Sequence, residues 1–298
     1  MELRNTIICG DAETELKKLP DNCVDLVFGS PPYEDARTYG IDFNLKDQVW
    51  VDWMVSVVKE SLRVCKGLVA FVVEGKTKRF RWSATPALLM ADLHRAGIHL
   101  RKPPLYKRNG IPGSGGPDWL ANKYEFIICA TSGGKLSWSN NLAMGHPPKW
   151  QPGGEMSHRT KSGVRTNRKA SRNRRPDGTR EVRSYSAPNI SNPGNIIDCG
   201  TCGGGHIGDK LAHETEAPFP EKLAEFFVAS FCPPDGVVLD CFSGSGTTVS
   251  VAKRLGRKWI AIDIRQNQCE LTRKRLELSA VETGVSVQEQ KQGQMGLF

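Results

Sequence analysis

Several things are missing from this 298-residue sequence, and each absence narrows what it can do. No apolar run approaches the roughly 18 residues that span a bilayer. The opening residues, Met1-Glu2-Leu3-Arg4-Asn5, lack the basic-then-apolar pattern of a secretory signal. Both point to the cytoplasm, with no membrane partner. The cysteines lack a pairing pattern: there are nine, and Cys9, Cys23, Cys65, Cys129 and Cys232 sit inside apolar runs. Such thiols behave as small buried hydrophobes in a reducing compartment. Cys199 and Cys202 have C-x-x-C spacing, but no second pair and no H-x-x-x-H follows. His206 and His213 stand nearby in a Gly-rich stretch without ligand spacing, so no metal is expected.

What is present is enough apolar residue, 39%, to build a substantial core, and a surplus of positive charge. The net charge is +9, and it is unevenly spread. Residues 149–183 hold eleven Lys and Arg against three acids, a surplus of eight. That segment is the candidate nucleic-acid contact, through Arg159, Arg165, Arg168, Lys169, Arg172, Arg174 and Arg175. Such side chains neutralise phosphates, and Arg also reads guanine edges. The competing reading is a solvated, charged linker.

Hydrophobic patterning organises the rest. A strand over 6–9, a helix over 12–19 and a buried strand over 24–28 come first. The spacing of Val51, Met54, Val55, Val58 and Leu62 predicts a helix over 47–64, ended by Lys66-Gly67, then a strand over 68–73. A helix over 85–95 follows, with strands over 98–106 and 124–130. The pattern lapses over 132–213, where Gly, Pro, Ser, Asn and Arg dominate, and this stretch reads as an insertion. Order returns with a helix over 221–231, a strand over 236–240, a helix over 247–255, a strand over 259–262 and a helix over 266–281. Alternating strands and helices predict an α/β fold with a largely parallel sheet. The expected parts are 1–131 and 214–285 as two halves of one domain, a basic insertion over 132–213, and a disordered tail over 286–298.

Two motifs carry the chemistry. The first is Asp240-Cys241-Phe242-Ser243-Gly244-Ser245-Gly246-Thr247-Thr248, a Gly-rich turn between a strand and a helix, with Asp263 ending the next strand. Ligands bind at the carboxyl ends of strands in open α/β sheets, and an acid at the second strand end suits ribose hydroxyls. A phosphate-cradling P-loop would need a Lys after Gly246, and a dinucleotide turn would need a third Gly where Val249 stands. The motif therefore describes a nucleoside cofactor without a pyrophosphate. The second motif, Ser30-Pro31-Pro32-Tyr33, follows a buried strand. Its prolines fix φ and offer carbonyls without N–H groups. Acceptors on a stiff loop suit an NH2 group, and an aromatic ring stacks on a base that has left the duplex.

Together these motifs resemble those of the N4-cytosine/N6-adenine DNA methyltransferases. Ser30-Pro31-Pro32-Tyr33 is similar to their S/D/N-P-P-Y/F loop, and residues 240–248 to their D-x-F-x-G-S-G-T-T loop. The catalytic motif precedes the cofactor motif, with a basic insertion between, which resembles the permuted β arrangement. The resemblance implies a Rossmann-like methyltransferase with a doubly wound, mostly parallel sheet. It implies S-adenosyl-L-methionine as cofactor, held by residues 240–248 (among them Asp240, Phe242, Ser243, Gly244, Ser245, Gly246, Thr247 and Thr248) and by Asp263. Asp11 matches a position near the adenine ring, and Phe219-Pro220 a segment near the methionine end. Ser30, Pro31, Pro32 and Tyr33 would be catalytic, acting by base flipping and direct transfer, since no Pro-Cys-Gln loop is present. Double-stranded DNA is the implied partner, a restriction-modification system with a cognate restriction endonuclease the implied setting, and monomer and dimer both stay open. Ser30, in place of Asp, leans toward N4 of cytosine. The alternatives are N6 of adenine, an RNA amino-methyltransferase and a non-catalytic DNA-binding protein.

Overall fold

The computed structural model describes residues 4–34, 43–108, 115–148, 156–168, 173–174, 180–181, 189–199, 211, 214 and 218–278. Its elements in chain order begin with β1 (Thr6–Cys9), α1 (Ala12–Lys18), β2 (Val24–Gly29), α2 (Asp47–Val64) and β3 (Cys65–Val73). A hairpin of β4 (Thr77–Lys78) and β5 (Arg81–Trp82) leads to α3 (Thr85–Arg95), β6 (His99–Leu100), β7 (Leu105–Lys107) and β8 (Tyr124–Thr131). Short strands β9 (Met156–Arg159), β10 (Arg165–Arg168), β11 (Asn173–Arg174) and β12 (Arg180–Glu181) follow. The chain then runs through β13 (Ile196–Asp198), α4 (Glu221–Phe231), β14 (Val237–Asp240), α5 (Thr247–Arg254), β15 (Lys258–Asp263) and α6 (Gln266–Leu278).

Nine strands form one mixed sheet in the order β1-β15-β14-β2-β3-β8-β7-β13, with β6 beside β8. β1, β15, β14, β2 and β3 are parallel, while β8 lies antiparallel to β3, β6 and β7. This is the doubly wound α/β architecture that the alternation of elements predicts. Side-chain alternation divides the core between the sheet's two faces. Val69, Phe71 and Val73 of β3 join Leu16, Trp50, Met54 and Leu89 of α1, α2 and α3. Leu68, Ala70 and Val72 join Leu223, Phe227, Val249 and Leu276 of α4, α5 and α6. Strands buried on both faces read as continuous apolar runs, as β2 and β14 do.

The connections make β14 and β2 a switch point. From β14 the chain winds through α5 to β15 on one side, and from β2 through α2 to β3 on the other. A crevice opens where crossovers diverge, at the carboxyl ends of the two strands. Those ends carry residues 240–248 and 30–33.

Three local expectations need correction. Lys66-Gly67 does not end α2 in a turn, because strand pairing begins at Cys65, directly after the helix. Gly67 lies so close to the Asp25 carbonyl that a Cβ would collide, and β2 pairs with β3 through an irregularity at that place. The single strand over 98–106 is two, β6 and β7, split where Pro103 and Pro104 lack N–H groups to donate. The stretch over 132–213 contains pairing: β13 lies parallel to β7 at the sheet edge, and β9 with β10 and β11 with β12 form antiparallel ladders. Residues 279–298, including the expected tail, lie outside the described residues.

The structure divides into two compact units, Met1–Met144 with Gly194–Phe298, and Gly145–Pro193. The hairpin of β4 and β5 turns on two residues, Arg79 and Phe80, with φ of 51° and 64°. Type I′ turns of this kind favour Asn-Gly, and a left-handed backbone costs an ordinary L residue roughly 1–2 kcal/mol.

Candidate active site

The loop after β2 is positioned by three partners from distant parts of the sequence. Ser30 Oγ donates to the Val72 carbonyl at 3.2 Å and lies 3.5 Å from the Tyr33 hydroxyl. Trp50, wholly buried, donates its indole N–H to the Pro32 carbonyl at 2.9 Å. Tyr33 donates its hydroxyl proton to Glu125 Oε2 at 2.9 Å, and Arg108 pairs with Glu125 Oε1. Glu125 is 6% exposed, and burial raises its pKa against the opposing pull of Arg108. Burial, then the Glu125 carboxylate, hold the Tyr33 phenol well above its ordinary pKa. The phenol therefore stays protonated and the ring is pinned from its hydroxyl end. Among the described residues nothing donates to the Pro31 carbonyl.

Glu34 follows the motif and is 4% exposed. Its Oε2 accepts the backbone N–H of Asp47 at 2.9 Å. Lys46 provides no side-chain cap to α2, so Glu34 does that work from the loop after β2.

The loop after β14 has the opposite chemistry. Gly244 and Gly246 take φ of 51° and 79°, conformations open to glycine. Asp263, at the end of β15, receives the Gly244 N–H on Oδ2 at 2.7 Å and the Arg265 N–H on Oδ1 at 2.9 Å. Helix α6 supplies the other restraints. Thr272 donates to the Gly244 carbonyl at 2.9 Å. Arg275, wholly buried, donates to Thr247 Oγ1 at 2.9 Å and the Ser245 carbonyl at 3.3 Å, and pairs with Glu221 at 2.5 Å. A Cβ at Gly246 would meet Thr272 Cγ2 at 2.7 Å. Phe242 anchors the loop inward, against Trp53 and Phe71 with ring centroids 5.6 and 5.9 Å away.

The strand ends that lead into the two loops meet at Gly29 and Asp240. Gly29 lies against the Asp240 carboxyl, and any Cβ there would collide with it. Asp240 is 1% exposed; its Oδ1 accepts the Phe242 N–H at 3.0 Å, while Oδ2 meets no partner. Burial raises its pKa to about 7. The Ser243 hydroxyl is likewise buried and without a partner.

The three other expected cofactor residues lie in the same unit. Asp11 follows β1, whose Cys9 pairs with Asp263, and caps α1 by accepting from Thr14 N and Oγ1 at 2.9 and 2.8 Å. Phe219 meets Phe28 edge-on with centroids 5.5 Å apart, and Pro220 precedes α4 as its cap. Of the expected DNA contacts, Arg159 and Arg165 are exposed and directly opposite across the β9–β10 ladder. Arg168 and Arg174 lie on β10 and β11. Lys169, Arg172 and Arg175 lie outside the described residues, as do Cys202, His206 and His213; Cys199 is half-buried.

Sequence reading missed Trp50, Arg108, Glu125, Thr272 and Arg275. Glu125 left a usable signal, as a lone acid inside the apolar run of β8. A charge buried in a strand requires a partner.

A sequence model of the DNA methylase family matches residues 24–274. Among individual proteins, the chain is similar to orphan methyltransferase M.BamHII of Bacillus amyloliquefaciens, 29% identical over 88% of this chain and 91% of the relative. It is also similar to DNA adenine methyltransferase YhdJ of Escherichia coli K12, 26% identical over 92% and 83%. Its fold is like that of PvuII DNA methyltransferase (cytosine-N4-specific), with a TM-score of 0.66, 18% identity, and coverage of 96% of this chain and 89% of that one.

The residues present suit the donor these enzymes use. S-adenosylmethionine carries a sulfonium and an ammonium group, and the glycine turn after β14 has three buried side-chain oxygens without a hydrogen-bond partner, on Asp240, Ser243 and Thr248. With matching sequence over most of its length and a doubly wound sheet whose switch point bears both loops, the chain belongs to the DNA methylase family, an S-adenosylmethionine-dependent enzyme whose substrate is DNA.

Proposed function

We propose that this enzyme methylates the N4 amine of cytosine at a specific DNA sequence. The observation that supports amine chemistry is the hydrogen bond from Ser30 to Val72. A hydroxyl has one proton, and with that proton given to a backbone carbonyl Ser30 has only lone pairs left to offer. The Pro31 carbonyl is the second acceptor, since Trp50 already occupies that of Pro32. Two acceptors on a stiff loop take the two hydrogens of an NH2 group and leave its nitrogen lone pair for attack. Tyr33 presents a ring for the flipped base, at an angle held by Glu125.

Residues 240–248, Asp263, Asp11, Phe219 and Pro220 hold S-adenosylmethionine in this reading. When bound, it supplies an electrophilic methyl group. Asp263 shapes the turn, through Gly244 and Arg265, and stands at the strand end where ribose hydroxyls would lie. Replacing it by Ala weakens cofactor binding; unchanged affinity by calorimetry would remove Asp263 from the site.

Ser30, where an Asp would suit adenine, supports cytosine. The likeness to a DNA adenine methyltransferase favours N6 of adenine as the second reading. Labelled methyl transfer to unmethylated DNA, digestion and identification of the modified nucleoside decides between them. 4-Methylcytosine is expected, and 6-methyladenine would overturn the base assignment while leaving the amine chemistry intact.

Site recognition falls to the basic unit, with Arg159, Arg165, Arg168, Lys169, Arg172, Arg174 and Arg175 as its contacts. Like charges opposite each other on a ladder repel, so the Arg159–Arg165 pair gains when an anion lies across it. Alanine at both is expected to flatten the dependence of DNA affinity on salt. A cognate restriction endonuclease is the partner this reading implies. DNA recovered from cells making this enzyme is then expected to resist one endonuclease that cuts unmodified DNA.

A further inference from the structure

Close to the catalytic loop lies a surface that the proposed roles leave unused. Strand β3 ends at Val73, one residue after the carbonyl that takes the Ser30 proton. The chain then makes the β4–β5 hairpin, reading Glu74-Gly75-Lys76-Thr77-Lys78-Arg79-Phe80-Arg81-Trp82. Four cations stand against one acid. That acid, Glu74, is turned to structural use, accepting the Trp82 indole N–H at 3.1 Å and the Gly75 N–H at 2.9 Å. Trp82 leans on Phe126, centroids 6.4 Å apart, and Phe126 is next in sequence to Glu125, the residue that holds Tyr33. The hairpin is thus braced on the support of the catalytic loop.

Its tip is unusual for a surface turn. Arg79 and Phe80 both have positive φ where Asn-Gly would relieve the strain. Phe80 is 74% exposed and meets Trp119 in a T-shaped contact, centroids 5.2 Å apart. Lys78, Arg79 and Arg81 are exposed around it. A large apolar side chain held out in a strained turn and ringed by cations fits a polyanion with an apolar interior. Duplex DNA is such a partner. Apolar wedges that enter base steps are a recurrent means of opening the stack, and Arg beside them binds the flanking phosphates.

We propose that this hairpin is a second DNA contact, in which Phe80 wedges into the duplex beside the target base while Arg79 and Arg81 hold neighbouring phosphates. This rests on DNA as the substrate and adds the step that empties the target base from the stack. The wedge lowers the cost of unpairing, so its value depends on the base being paired.

The full-length enzyme tests this with Phe80→Ala, Phe80→Trp and the double variant Arg79→Ala/Arg81→Ala. Once the modified site in plasmid DNA is mapped, two short duplexes are compared, one with the target base paired and one with it opposite an abasic position. Phe80→Ala is expected to lose about tenfold in kcat/KM on the paired duplex and under threefold on the abasic one, with Phe80→Trp near wild type. An equal loss on both duplexes, or no loss on either, would overturn the wedge. The double variant is expected to bind a mixed-sequence 30-base-pair duplex with a salt slope smaller by about two, one for each phosphate. An unchanged slope would overturn the phosphate contacts. Melting temperature and cofactor affinity should not move, because these side chains are exposed. Failure of the amine-transfer reading looks different: the wild-type enzyme would leave both duplexes unmethylated, and the salt slope would still report on the hairpin.

Discussion

Loop 30–33 and loop 240–248 follow neighbouring parallel strands whose ends meet at Gly29 and Asp240, yet they are held in place by opposite means. Loop 30–33 is stiff in its covalent structure, with two prolines, and is oriented from outside through the Ser30 and Tyr33 side chains and the Pro32 carbonyl. Each is held by a single bond out of the sheet or α2, from Val72, Glu125 and Trp50 in turn. Loop 240–248, the proposed cofactor loop, is covalently slack, with two glycines at positive φ, and is restrained on its backbone by α6 and Asp263. A group that must hold a base at a fixed angle gains from stiffness. A turn whose backbone must lie close to a ligand gains from having no side chains there, and then needs a clamp from elsewhere.

The comparison breaks first at Tyr33. Tyr33→Ala removes the stacking ring but leaves the α6 clamp, so turnover should fall by about a thousandfold while cofactor affinity, read by calorimetry, changes less than threefold. Equal losses in both would mean the loops are not separate devices.

Next comes the clamp itself. Arg275→Met takes a wholly buried guanidinium from Ser245, Thr247 and Glu221. It should lower unfolding stability by about 3 kcal/mol in urea and weaken cofactor binding about tenfold. Activity at saturating cofactor should stay within a few-fold of wild type, because Ser30 and Tyr33 do not touch α6.

Asp240 probes the contact between the two strand ends through pH. Its carboxyl, at about 7 in the fold, lies above the ordinary value of 3.8, so burial favours the neutral form. Below about pH 4 the group is neutral folded and unfolded, and its ionisation has no effect. As pH rises from about 4 to 7 the unfolded chain ionises first, and stability falls until the folded carboxyl ionises too. Asp240→Asn cannot ionise, so the stability difference, variant minus wild type, should grow more positive from pH 5 to pH 8. A flat difference in urea midpoints would show that Asp240 is not the buried acid described.

The smallest effect is expected at Glu125. Glu125→Gln keeps an acceptor for the Tyr33 hydroxyl but leaves Arg108 without its carboxylate. A fall of about fivefold in kcat, with cofactor affinity unchanged, fits a positioning role.

Much of this division was legible in residue order. The helix over 47–64 and the strands β2 and β14 followed from apolar spacing alone, because their burial is continuous and local pattern reports it. Both motifs were legible because Pro and Gly act on their own backbone. The strand at 65–67 was hidden because Lys66 and Gly67 look like a helix stop, and only the close approach to Asp25 explains the glycine. The hairpin at 77–82 was hidden because its turn carries Arg-Phe, the reverse of the usual signal.

The sequence by itself determined the winding of the sheet, the order of the two motifs along the chain and the concentration of charge in one segment. Each of these depends on composition, short-range spacing or the intrinsic limits of Pro and Gly. Only the tertiary structure decided what holds the motifs: Ser30 to Val72, Tyr33 to Glu125, Asp240 beside Gly29, and Gly244 under Thr272. These partners lie tens to hundreds of residues apart, and no local propensity encodes a contact that exists only once the sheet has brought two strand ends together.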